Sequence, residues 1–206
     1  MEILLNAFVV LFIVIDPVGL APMFIALTPG TSPAYQRKMA IRGTALASAM
    51  LLVFYFVGDI LLSSLGIGIP AFRIAGGALL FLLAIDMAFA RQSGLRSTTT
   101  REQREAEGKQ DISVFPLAFP LIAGPGALTT MLLMSSSARG AWVFGGTLAV
   151  LMIVLGLTLV SLLYAARILQ FLGETGTNVI SRLFGLILAA LAVQYMLDGI
   201  HSSFHG

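Results

Sequence analysis

Cysteine is absent from the 206 residues, which excludes disulfide scaffolds, thiolate metal sites and cysteine nucleophiles. Histidine is nearly absent, the two copies being His201 and His205 at the C-terminal end. Charge is scarce: Asp, Glu, Lys and Arg together make up 11% of the chain, against roughly 25% in an average globular protein. A net charge of +2 is far too small for phosphate-backbone recognition, so no nucleic-acid partner is expected. Sequence signatures of catalysis are missing as well, with no zincin motif, nucleophile elbow, P-loop or dinucleotide fingerprint. Gly58-Asp59 lacks the preceding glycine of the G-x-G-D intramembrane protease pattern. The expectation is therefore a chain that is not an enzyme, with no catalytic residue, no cofactor and no metal. His201 and His205 have a spacing that can hold a metal on a helix, but a solvated tail explains them equally simply.

What is present is apolar surface. Hydrophobic residues make up 58%, more than a soluble domain of this length can bury. The gaps between charges mark membrane spans, each needing about 20 mostly apolar residues. Six helices are expected, at about 3–27, 43–64, 71–90, 112–136, 141–165 and 182–200. The fold class is thus an all-α polytopic membrane protein, in contact with lipid on its outer face. The start MEILLNAF lacks the basic region of a signal peptide and reads as a retained first span. Residues 91–111, with five Arg/Lys and four Asp/Glu, form a hydrophilic linker between segments 1–90 and 112–206. The loops on the linker's side hold ten of the Lys/Arg residues, while the opposite side has only Arg73 and Arg139. The richer side is expected to be cytoplasmic, which puts both termini outside.

The two segments resemble each other at an offset of 107–109. Ile15–Met23 falls on Ala123–Met131, Leu65-Gly66 falls near Leu172-Gly173, and Arg73–Met87 falls on Arg182–Met196. Three spans per copy force the second into the bilayer upside down, a 3+3 inverted-topology repeat of the kind found in secondary transporters and some channels.

Asp16 and Gly124 sit near the middle of matched spans and each precedes a proline, Pro17 or Pro125. The residue before proline is pushed out of the helical region, and proline suits the first helical position. Helices 1 and 4 should therefore be broken, with Asp16 and Gly124 capping the second halves. Gly19 and Pro22 in one span, and Pro116, Pro120 and Gly126 in the other, add to the interruption. Unwound backbone at membrane depth must be buried in protein or line a wet cavity. One break brings a carboxylate. The other brings the amides of Gly126, Ala127 and Leu128, at the positive end of a helix dipole, and the hydroxyls of Thr129 and Thr130. That pairing suits a small zwitterion, ammonium toward Asp16 and carboxylate toward the amides. The plainer alternatives are a simple N-cap at Asp16 and a close-packing kink at Gly124-Pro125-Gly126.

Arg73 and Arg182 open the third and sixth helices, either snorkelling to the interfaces or gating the site, Arg73 with Asp59 and Arg182 with Glu174. Asp86 is an interfacial residue or a carrier of a coupling proton. Gly76, Gly77 and Gly185 suit close helix approach.

The stretches VIDPVGLAPMF, FRIAGGALLFLLAIDM, PLAFPLIAGPGALTTML and RLFGLILAALAVQYMLDGI together resemble the MarC family, also described as small neutral amino acid transporters of the SnatA type. The resemblance runs from one end of the chain to the other. It implies a six-span inner-membrane protein of bacteria or archaea, and for some members the transport of glycine, alanine and similar amino acids. Leu20 departs from the family pattern, in which many members carry a polar residue such as Asn. The expected function is a secondary transporter of small neutral amino acids working by alternating access, with H+ or Na+ as candidate coupling ion. A small-solute channel and a non-transporting membrane partner protein are the alternatives.

Overall fold

The computed structural model describes residues 2–89, 111–137 and 140–204. The hydrophilic linker lies outside the described residues apart from Asp111, as do Arg139 and His205. The described residues contain no strand. α1 (Glu2–Ile15) and α2 (Pro17–Leu27) form one interrupted span, followed by α3 (Pro33–Ser64) and α4 (Ile69–Ala88). Beyond the linker, a wide-turned segment (Ser113–Ile122) leads into α5 (Pro125–Ser137) across a bend of 59°, followed by α6 (Ala141–Leu163) and α7 (Ala165–Phe204). Five helices are long and apolar enough to cross a membrane, and six spans result when the bent pair is one of them. The protein is an all-α polytopic membrane protein.

The expected spans fall on these elements, with instructive differences at two starts. α3 begins at Pro33 rather than at 43, because the Ser32 hydroxyl accepts the Tyr35 N–H at 3.2 Å and Pro33 suits the first helical position. α7 begins at Ala165 rather than at 182 and is two helical stretches meeting at a kink at Gly173, whose angles (φ 66°, ψ 172°) are not helical. Gaps between charges locate the apolar stretch, whereas caps locate the helix, and a helix can run on past the apolar stretch.

The wide segment is a further correction, since a regular half-helix was expected there. Pro116 and Pro120 lack N–H donors and push Phe115 and Phe119 to extended angles (φ −132°, ψ 126° and φ −130°, ψ 129°). The bonds that remain reach five residues back, Leu117 N–H to the Ile112 carbonyl and Ala123 N–H to the Ala118 carbonyl.

The broken first span is the most enclosed of the five, with 56% of its apolar stretch buried against 22–44% for α3, α4, α6 and α7. Leu11, Ile15, Leu20 and Phe24 on this span, and Leu117 and Met131 opposite, form the centre of the core. The two broken spans are thus inside, and the unbroken helices wrap them. The packing partners exchange consistently between halves. α1 and α2 pack on α6, while the wide segment and α5 pack on α3. α2 also packs on α7, and α5 on α4. α4 and α7 run antiparallel against each other and are joined reciprocally. A Cβ on Gly77 would lie 2.8 Å from the Ala192 carbonyl and 2.6 Å from Met196, and one on Gly185 would lie 2.9 Å from the Ala84 carbonyl and 3.0 Å from Met87. These close approaches require glycine on both helices.

Candidate functional site

The first break is built around Asp16. Its backbone is left-handed (φ 49°, ψ 67°), a conformation that Asp and Asn tolerate better than other side chains. Pro17 brings no donor, and the Gly19 N–H turns to Asp16 Oδ1 at 3.0 Å, so the carboxylate caps α2 as expected. Asp16 is 2% exposed, deep in the bundle. Two hydroxyls from the other half close around it. Ser181 on α7 donates to Asp16 Oδ2 at 2.9 Å, and Ser161 on α6 donates to the Pro17 carbonyl. Gly19 lies so close that a Cβ there would collide with Asp16 Oδ2 and the Ser181 hydroxyl. Leu20 is buried in the core, and its N–H continues the ladder to the Asp16 carbonyl at 3.1 Å.

At the second break, the Gly124 carbonyl accepts the first α5 bond, from Leu128 N–H at 3.0 Å. The expectation that Leu128 offers an amide without a local acceptor is therefore corrected. With Pro125 at the first helical position, the donors ahead of the ladder are those of Gly126 and Ala127. The Pro120 carbonyl lies against Gly124 and leaves no room for a Cβ there. Thr130 donates back to the Gly126 carbonyl at 2.8 Å, and the Thr129 methyl packs on Gly76 of α4. Both threonines thus sit beside the break with contacts directed into their own helix and α4.

The two breaks approach each other through Val14, two residues ahead of Asp16, whose Cγ1 lies 3.6 Å from the Cβ position of Gly126. At the second break is a cavity of about 10 Å³ lined by Leu83, Leu121, Ile122 and Gly124 to Ala127, which Val14 reaches from the first span and Asp16 does not. It has room for about one water and is far too small for an amino acid. In this conformation the cavity at the second break does not admit a larger ligand.

The remaining expected residues stand apart from this cavity. Arg73 is half-buried in the first turns of α4, where Gly199 of α7 packs against its Cβ. Asp59 is exposed on α3, Asp86 is half-buried near the end of α4, and Arg182 is exposed on α7 next to Ser181. An ion pair forms elsewhere, between Arg42 on α3 and Asp111 at 2.7 Å. Asp111 also accepts from the Ser113 hydroxyl and from the Ser113 amide at 2.9 Å, which ties the start of the wide segment to α3. Those bonds, with the Arg42 charge, hold its carboxyl below the usual range.

Sequence reasoning missed Ser161 and Ser181. A serine in a helix has no local signature, and Ser181 fell in a stretch expected to be a loop. Among the described residues no group of three or more His, Asp or Glu could hold a metal ion.

A family model described as "MarC family integral membrane protein" matches residues 1–204. The chain is 35% identical over 201 residues to the UPF0056 membrane protein YvbG of Bacillus subtilis, covering 98% of this chain and 95% of the relative. It is 36% identical over 200 residues to the UPF0056 inner membrane protein YhgN of Escherichia coli K12, covering 97% of each. A UPF0056 membrane protein of Archaeoglobus fulgidus is 36% identical over 200 residues, covering 94% of this chain and 90% of the relative. No solved structure matches.

Proposed function

Because the chain belongs to the MarC family of integral membrane proteins, we propose that it is a secondary transporter of small neutral amino acids, a carrier that makes and breaks no covalent bond. The observation that carries this reading is the buried Asp16 carboxylate at one helix break, in a span that reaches the Gly126 end of the second break through Val14. An intramembrane carboxylate is costly enough to mark a substrate or ion pathway. The substrate ammonium goes to Asp16 and its carboxylate to the Gly126 and Ala127 amides, where the α5 dipole is favourable. Gly124, Gly126 and Ala127 leave little side-chain bulk around the cavity, which favours glycine- or alanine-sized substrates.

Alternating access follows from the architecture. The exchange of packing partners between halves supports an inverted repeat with its axis passing between α4 and α7. Positive-φ glycines also pair across the halves, Gly30 with Gly140 and Gly66 with Gly173. Two related packings then open the breaks to opposite sides of the cytoplasmic membrane, with H+ or Na+ as the coupling ion and the linker on the cytoplasmic side.

Purified protein in liposomes is expected to take up radiolabelled glycine, alanine or serine and to show trans-stimulation by unlabelled substrate. Asp16→Asn is expected to lower the uptake at least tenfold. Unchanged uptake by that variant would remove Asp16 from the site, and flux without trans-stimulation would make the protein a pore.

A further inference from the structure

Asp16 is held by more than its own helix. Its Oδ1 is fixed by the Gly19 amide, a bond inside the first break. Its Oδ2 is fixed by Ser181, which is 165 residues away in sequence and on α7. The fit leaves no slack, because the space beside both groups is filled by the bare Cα of Gly19. Ser161 fastens the next residue, Pro17, to α6. The orientation of the buried Asp16 carboxylate is thus set jointly by its own cap and by the opposite half.

We propose that Ser181 is a positioning residue for substrate binding: its hydroxyl holds Asp16 Oδ2 so that the carboxylate presents a fixed acceptor edge to an incoming ammonium group. This rests on the transport reading above. The chemistry fits the roles. A hydroxyl that donates its single proton to Asp16 keeps its lone pairs, so the pair Asp16–Ser181 offers only acceptors to a third partner. Side chains bearing another donor gain nothing at such an edge, and a primary ammonium gains most. Ser181 leaves the charge of Asp16 unchanged and fixes its direction.

The test is a kinetic cycle in proteoliposomes with radiolabelled alanine as the probe. Ser181→Ala is expected to raise the KM about tenfold, the usual value of a hydrogen bond to a charged group, with a smaller change in maximal rate. Ser181→Thr, which keeps the hydroxyl, is expected to restore most of the affinity. With Asp16→Ala already in place, Ser181→Ala is expected to cause no further loss in alanine binding, read by the substrate-induced rise in melting temperature. Three results overturn the proposal: an unchanged KM in Ser181→Ala, an equal loss in Ser181→Thr, or an undiminished effect of Ser181→Ala without the Asp16 carboxylate. A purely structural serine would lower the yield of folded protein and the maximal rate together, leaving KM in place. Wild-type protein that neither binds nor moves alanine, glycine or serine overturns the transport reading itself, and this assignment with it. A working wild type with an unaffected Ser181→Ala overturns this assignment alone.

Discussion

At the residue scale, the tightest constraint is Gly19, the position where the cap, the carboxylate and the α7 hydroxyl meet. Gly19→Ala forces a methyl onto Asp16 Oδ2 and the Ser181 hydroxyl. The expected cost is about 1–3 kcal/mol, the usual range for overpacking. It is measured as a lowered melting temperature of the purified protein in detergent, and an unchanged melting temperature would contradict the geometry. Asp16 was legible in the sequence because its cause is local: a proline follows it, and the side chain is one that caps helices. The break at Gly124 was legible for the same reason, although Leu128 was wrongly counted among its open amides. Ser161 and Ser181 were not legible. Their role depends on which helix face meets which across the bundle, and nothing in their neighbourhood encodes that.

At the element scale, the spans were legible and the helices only partly so. Charge-free stretches report where lipid is, and α3 and α7 extend past those stretches, with Ser32-Pro33 setting the start of α3 and the kink at Gly173 preceding the long stretch of α7. The wide segment was half legible. Pro116 and Pro120 announce a disturbance, but four-residue spacing between prolines leaves no complete α-turn, so no regular half-helix forms. The glycines of the long helices divide into two kinds, and substitution separates them. Gly185→Ala places a Cβ 2.7 Å from the Ala88 nitrogen, backbone that cannot turn aside, and α4 and α7 must separate. The expected loss is about 1–3 kcal/mol. Gly156 on α6 has nothing within 4 Å of its Cβ position, and Gly156→Ala is expected to be neutral or stabilising by up to about 1 kcal/mol. Thermal unfolding of the two variants side by side checks the sign of both.

At the scale of the whole molecule, the expected repeat rests on a few matched prolines, glycines and arginines in the sequence; Gly76 is the match of Gly185 there, but its neighbour Gly77 is the glycine that faces α7, while Gly76 faces Thr129. Gly77 and Gly185 perform the same task on each other's helices. Orientation in the membrane rests on the uneven Lys/Arg distribution. The absence of native cysteine makes it directly testable, because every thiol is then an introduced one. Glu2→Cys and Ser202→Cys are expected to react with an impermeant maleimide added to intact cells, while a cysteine placed within residues 91–110 reacts only after the cells are opened. The reverse pattern would invert the assignment. The two joints at the centre of the molecule are of unequal make. Serines of α6 and α7 are bonded at the first break itself, while the second broken span is tied to α3 away from its break, by Ser135 to the Tyr55 carbonyl at 2.6 Å and by Asp111 to Arg42 at 2.7 Å. Twin poses of a duplicated scaffold are equal in energy only if their seams are equal. A surplus of about 1 kcal/mol, one net hydrogen bond, suffices to keep roughly five of every six molecules leaning the same way. On the transport reading proposed above, idle protein has a preferred side to face, and the serines are the weight on the scale.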